Sequence, residues 1–266
     1  MEFFDTHFHL SEEKDSNAYA LEAEAEDVAY LLAAGVDHAS SREAKRFALK
    51  IPNRRFFAAG IHPHEAESSD MHPAEFAEFA ESQGFAAFGE VGLDYYYDHS
   101  DRKSQLSTFA EFAELASSVG APMIVHCRSG ERENDAAFDD AFGVLEEFAR
   151  DGGRFVLHCF SGTPEWVEKF AGIGAFFGIA GIVTFKKADN IRSAVALIPN
   201  DRLLLETDAP WLAPVPFRGK GNHSKYLPLI AAAVAEVKRV SAAEIAETTT
   251  ANAFRLFVDW RSEAGK

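Results

Sequence analysis

Phe3-Phe4-Asp5-Thr6-His7-Phe8-His9 joins an apolar start to two histidines one residue apart. In a β-strand residues i and i+2 face the same way, so as a strand this stretch turns Asp5, His7 and His9 to one side. Two imidazoles on one face can share a divalent cation, because neutral imidazole nitrogen suits Zn, Mn, Fe and Ni. A pair of strand-end histidines bonded to carbonyls reads the same way locally, so the rest of the chain has to decide.

Working outward, short apolar runs alternate with segments of helical period. Strands are expected over 2–7, 36–40, 56–61, 85–90, 122–126, 155–158, 175–179 and 203–206. Helices are expected over 18–34, 42–51, 74–83, 104–119, 136–150, 164–171, 188–197, 226–240 and 242–257. Thr163-Pro164 has the pattern of an N-cap followed by proline at the first helical position. Ser241 and Glu244 have capping-box spacing. About eight strand–helix units in succession argue for a parallel sheet with helices outside, and eight close into an α/β TIM (β/α)8 barrel. No Gly-x-Gly-x-x-Gly turn follows the first strand, so dinucleotide binding has no support. With no linker and no repeat beyond this unit, residues 1–266 read as a single domain, within the size range of barrels.

Of 266 residues, 47% are hydrophobic, and the formal net charge is −16. That balance disfavours broad polyanion binding, although bound cations can invert the sign inside a pocket. Cys127 and Cys159 make no disulfide framework, and no leader or long apolar run is evident, so the expectation is a cytoplasmic protein without a membrane partner. No obligate protein partner is implied, and a monomer is expected.

Barrel enzymes carry catalytic groups at the C-terminal ends of their strands. Six of the ten histidines fall at such ends: His7, His9, His62, His64, His126 and His158. Glu90 ends the fourth strand and Asp208 follows the eighth. His7, His9, Glu90, His126, His158 and Asp208 make a coherent set for two divalent ions (Mg, Mn or Zn). One ion would take His7, His9 and Asp208, the other His126 and His158. Glu90 would bridge them, since paired ions stand about 3.5–4 Å apart and a carboxylate spans that gap. His38, His72, His99 and His223 fit less cleanly and read as loop or surface residues, with a pocket role open for His38.

At these residues the chain resembles the TatD family of metal-dependent deoxyribonucleases, within the amidohydrolase superfamily. The matching motifs are Phe4-Asp5-Thr6-His7-Phe8-His9, Gly60-Ile61-His62-Pro63-His64, Gly89-Glu90-Val91-Gly92-Leu93-Asp94-Tyr95, Ile124-Val125-His126-Cys127-Arg128, His158-Cys159-Phe160-Ser161-Gly162 and Leu205-Glu206-Thr207-Asp208-Ala209-Pro210. The resemblance implies a TIM barrel, a divalent-metal phosphodiesterase site and the same six ligands. One departure is plain: the family usually follows Arg-Gly-Lys-x-Asn with Glu-Pro, and here Arg218-Gly219-Lys220-Gly221-Asn222 runs into His223-Ser224.

The expected activity is phosphodiester cleavage by an activated water, with DNA as the nucleic-acid substrate and an exonuclease acting on single strands. Asp208, Glu90 and His62 are the catalytic candidates, with Asp208 as general base and His62 placed for phosphate contact or leaving-group protonation. His64, Tyr95, Arg128, Arg218, Lys220 and Asn222 are candidates for substrate binding, Tyr95 by stacking on a base. Cys127 and Cys159 each follow a candidate ligand and read as small buried hydrophobes turned away from the metals. Three other readings stay open: an amidohydrolase or lactonase on a small molecule, an esterase on an aminoacyl substrate, and a non-catalytic metal-binding scaffold. Many barrel amidohydrolases bridge two ions with a carbamylated lysine on a central strand, and neither 85–90 nor 122–126 contains a lysine.

Overall fold

In the computed structural model, which describes residues 2–11, 15–97, 99–130 and 135–263, the apolar runs are parallel strands of one eight-stranded sheet. The strands are β1 (Phe3–Phe8), β2 (Val28–Ala34), β3 (Arg55–Ala59), β4 (Phe85–Asp94), β5 (Met123–Arg128), β6 (Phe155–Leu157), β7 (Phe176–Ile179) and β8 (Leu203–Leu205). Each pairs with the next in chain order. The ends of the sheet meet. Phe8 bridges Ala209, the Thr6 hydroxyl donates to the Leu205 carbonyl at 2.9 Å, and Asp208 N–H donates to the His7 carbonyl at 2.9 Å. The sheet is therefore a nearly closed TIM barrel.

Helices alternate with the strands: α1 (Ser16–Glu24), α2 (His38–Lys50), α3 (Ala77–Ala80), α4 (Arg102–Val119), α5 (Ala136–Arg150), α6 (Pro164–Gly172), α7 (Asp189–Leu197), α8 (Leu227–Lys238), α9 (Ala242–Phe257) and α10 (Trp260–Glu263). Several bury a 3.6-period stripe against the strands; α5, for example, buries Phe138, Ala141, Leu145 and Phe148. No helix among the described residues is long and apolar enough to cross a membrane.

Expectation and structure part around the second strand. The helix expected over 18–34 ends at Glu24, and its second half is β2, while 36–40 is no strand at all. Val28-Ala-Tyr-Leu-Leu-Ala-Ala is a continuous apolar run, which suits a parallel strand buried on both faces as well as it suits a helix. Asp27 separates the two elements in a left-handed conformation, φ 63°. The polarity of Asp37-His38-Ala39-Ser40 then has a cause: it is the start of α2. Asp37 is the N-cap, its carboxylate accepting from Ser40 N–H while Ser40 closes the capping box. His38 sits in that first turn, packed edge-on against Phe76 and Phe79, 5.7 and 5.5 Å between ring centres. The helix expected over 74–83 is a 3₁₀ turn, Pro73–Phe76, followed by the short α3. Ser241 caps α9 by accepting from Glu244 N–H.

A second apolar layer gathers Phe4, Leu32, Phe56, Ala58, Ala86, Ile124, Val156, Phe176 and Leu204 with Ala253, Leu256 and Phe257 of α9. The strand members are the inward-facing residues, and α9 closes the barrel beneath them. Burying each large side chain here contributes about 1.5–3 kcal/mol. Two residues further along β5, β6, β7 and β8 come His126, His158, Gly178 and Glu206. The period of two thus lifts polar residues into the layer directly above the apolar plug.

Candidate active site

Glu90 is buried (2% exposed) and its two oxygens face different imidazoles. Oε2 lies 3.3 Å from both His7 Nε2 and His9 Nε2. Oε1 lies 2.8 Å from His126 Nδ1, 3.0 Å from His158 Nε2 and 3.5 Å from His62 Nε2. Asp208 Oδ1 approaches the first pair, 3.9 Å from His7 Nε2 and 3.7 Å from His9 Nε2. All six residues expected as ligands converge, and His62 joins them.

The fit to divalent cations rests on these donor atoms. His7 Nε2 and His9 Nε2 are 3.0 Å apart. Two nitrogens each about 2.0–2.1 Å from one ion stand about 3 Å apart, and mixed imidazole and carboxylate donors are the ligands of borderline divalent metals. Among the described residues three groups bring their donor atoms within 4.8 Å of one another: His7, His158 and Asp208; His7, His9 and Glu90; and His62, Glu90 and His126. These groups overlap: His158 shares Glu90 Oε1 with His126 and also falls in a group with His7 and Asp208. His158 stacks on His7, 4.0 Å between ring centres, and stands between the two halves.

Burial sets the electrostatics. It opposes ionisation of Glu90, but the charges of His158 and His62 and the bonds from His126 and His158 outweigh it and hold the carboxyl well below its usual range. Asp208 is pushed up to about 6, by burial first and then by Glu90 and Glu206, against the pull of His158 and His9. Burial lowers His62 to about 4, with Glu90 opposing. Burial, with His158 nearby, also lowers His7 well below the imidazole range. His126 and His158 shift the other way: burial lowers them, but Asp94 and Glu90 raise His126 and Glu90 and Glu206 raise His158, so an ion held there would displace a proton, neutral imidazole being the ligand form. Asp208 is held in the left-handed region, φ 57°, which Asp tolerates better than most residues.

Several residues that support this cluster have no role assigned from the sequence. Glu206 Oε1 accepts from His158 Nδ1 at 3.1 Å and also from Cys159 N–H. Gly178 makes room for it, since a Cβ there would lie 2.1 Å from Glu206 Oε2. Asp94 Oδ2 lies 3.0 Å from His126 Nε2 and 3.1 Å from His64 Nε2. Burial would raise the Asp94 carboxyl, but His126 outweighs it and the group stays below its ordinary range. Asp5 does not reach the cluster: it takes Thr207 N–H at 2.9 Å and the Thr207 hydroxyl at 2.6 Å, tying β1 to the segment that carries Asp208. The available signal was adjacency, Glu206 and Asp94 lying inside motifs that also carry ligands.

Two candidates for substrate contact are placed elsewhere. Tyr95 is 3% exposed and its hydroxyl donates to Asp140 at 2.7 Å, so its ring is covered and has no face for a base. Asn222 is buried, donating from Nδ2 to the Thr207 carbonyl at 2.8 Å and accepting from His223 N–H at 2.8 Å; it braces the loop after Asp208. Arg218 and Lys220 are exposed, with the Arg218 guanidinium 4.3 Å over Phe185. Arg128 stacks on Tyr96 and Tyr97, 4.1 and 4.8 Å from their ring centres. The departure His223-Ser224 serves packing: His223 stacks on Tyr19 at 3.9 Å, and the Ser224 and Tyr19 hydroxyls are 2.8 Å apart. Cys127 is buried. Cys159 is half-buried beyond the end of β6 with φ 45°, so strand alternation does not govern where its thiol points.

A family model described as TatD related DNase matches residues 4–258. A metal-dependent hydrolase of Bacillus subtilis, YabD, is 35% identical over 260 residues, 96% of this chain and 98% of its own. The 3′-5′ ssDNA/RNA exonuclease TatD of Erwinia tasmaniensis is 35% identical over 250 residues, 92% of this chain and 94% of its own. Among solved structures, the TatD homologue YjjV of Escherichia coli K12 superposes with a TM-score of 0.86 at 26% identity, covering 96% of this chain and 97% of its own.

Proposed function

This chain belongs to the TatD related DNase family and is a metal-dependent hydrolase, and on that premise we propose that it is a two-metal phosphodiesterase, a deoxyribonuclease trimming single-stranded DNA from an end. The observation that carries the reading is the division of Glu90, one oxygen towards His7 and His9, the other towards His126, His158 and His62. Glu90 would hold two divalent ions together with His7, His9, His126, His158 and Asp208. When bound, such a pair lowers the pKa of a water and compensates the charge that grows on the phosphoryl oxygens.

The chain's own groups do the rest. Asp208, whose Oδ1 faces His7 and His9, is suited to take the proton of the attacking water at its other oxygen, Oδ2. The water oxygen bonds to phosphorus as the P–O bond to the leaving sugar oxygen breaks, and that oxygen collects a proton. His62 is neutral near pH 7, which suits it to donate an N–H hydrogen bond to a phosphoryl oxygen rather than to act as the acid. Arg128 adds positive charge beside a site carried by an acidic protein, and Arg218 and Lys220 offer the same from the loop after Asp208. His64, held by Asp94, is a further candidate for phosphate contact. The strands β4 and β5 contain no lysine, which favours this bridge over a carbamylated-lysine amidohydrolase.

The test is a reconstituted digest. Chelator-stripped protein is supplied with Mg, Mn or Zn separately and given 3′- and 5′-labelled single-stranded DNA, with the RNA equivalents alongside. Stepwise shortening of DNA with one metal supports the reading and gives its polarity. Bound metal by elemental analysis without cleavage of any strand sinks it.

A further inference from the structure

Two exposed aromatic groups flank the cluster, and each is keyed to it through backbone bonds. Trp211 is 56% exposed, while Trp166 and Trp260 are 4% exposed. Its N–H donates to the Asp208 carbonyl at 2.9 Å, and its ring meets His9 edge-on at 5.1 Å. On the other half, Tyr96 and Tyr97 are 40% and 50% exposed. Their N–H groups donate to Asp94 Oδ1 at 2.9 and 3.1 Å, and the other oxygen of Asp94 holds His126 and His64. Tyr97 meets His64 edge-on at 5.6 Å, and the planar Arg128 guanidinium lies over both tyrosine rings.

Scattered surface rings are ordinary, whereas exposed rings gathered around a polar centre mark a ligand-binding groove. Here one group stands beside His9 and the other beside His64, Trp211 against the His9 ring and Tyr97 against the His64 ring. We propose that Trp211 and the Tyr96–Tyr97–Arg128 group are stacking platforms for the two unpaired bases on either side of the scissile phosphate. The inference rests on the phosphodiesterase reading and names what that site selects: a strand whose bases are free to stack. Every base has a π-face, so such platforms grip without reading sequence, and guanidinium planes stack as aromatic rings do. A paired duplex offers no free base faces, so the platforms discriminate against it. Arg128 adds a charge that phosphate requires and a neutral apolar partner does not.

The test uses the metal-loaded protein. A hydrolysis-resistant phosphorothioate oligothymidylate should quench tryptophan emission in the wild type. Trp211→Phe should lose that quenching yet keep binding by fluorescence anisotropy, because a ring remains. Trp211→Ala and Tyr97→Ala should each raise KM on a single strand about ten-fold with kcat little changed, in the range measured for loss of one stacked base. The wild type should prefer an intact strand over one carrying abasic units beside the cleaved bond, and that preference should collapse in the alanine variants. Folded alanine variants with wild-type KM and wild-type preference overturn the proposal while leaving the phosphodiesterase reading intact. Should those variants not fold, a wild type indifferent to abasic units overturns it equally. A wild type that neither binds nor cleaves any strand overturns both readings.

Discussion

His158 Nδ1 lies 3.1 Å from Glu206 Oε1, and the opposite nitrogen of the same ring lies 3.0 Å from Glu90 Oε1. One imidazole thus joins a supporting carboxylate to the carboxylate at the centre of the site. The support fixes the ring's orientation and tautomer and raises its basicity as a ligand. Glu206→Ala should weaken metal affinity about 10–100-fold. Calorimetric titration of stripped protein checks this, and unchanged affinity would remove Glu206 from the site.

Gly178 tests the same relationship by volume. A Cβ at this position would lie 2.1 Å from Glu206 Oε2 and 2.6 Å from Glu206 Cδ, so the carboxylate has to move. Gly178→Ala should therefore reproduce the metal-binding defect of Glu206→Ala. A loss of stability of about 1–3 kcal/mol, as overpacking costs, should accompany it in denaturant melts.

Replacing Glu90 should do more than replacing any single histidine, because both oxygens are engaged. Glu90→Ala should abolish hydrolysis and reduce the metal content by at least one ion in elemental analysis. A variant with full activity would disprove the bridging role.

Metal removal should cost stability as well as activity. Without cations, the carboxylates of Glu90 and Asp208 and the imidazoles of five histidines crowd one buried volume. A ligand at 100 times its Kd stabilises the folded state by about 2.7 kcal/mol. The Tm of stripped protein should rise as metal is added back, by an amount set by each ion's concentration relative to its Kd.

Much of the fold and the site is legible in the chain alone. The strand–helix alternation and the placing of His7, His9, Glu90, His126, His158 and Asp208 depend on period, order and residue type, and all of these are local. Three failures share one cause. Val28–Ala34 is strand rather than helix because β1 and β3, each across a helix in the chain, pair with its two edges. Tyr95 is covered rather than free to stack because Asp140, 45 positions away, takes its hydroxyl. Asn222 turns inward because Thr207, 15 positions back, offers a carbonyl. Hydrogen-bond partners distant in sequence leave no periodic trace.

By itself, then, the sequence determined which residues can ligate and at which end of the barrel they stand, since side-chain alternation and strand order are properties of the chain. Only the tertiary structure decided how those ligands group. His158 stands between the two halves, Glu206 and Asp94 hold the imidazoles, and Trp211, Tyr96 and Tyr97 are left exposed beside them. Those outcomes depend on ångström distances between strands, set when the sheet closes on itself and burial forces each polar group to find a partner.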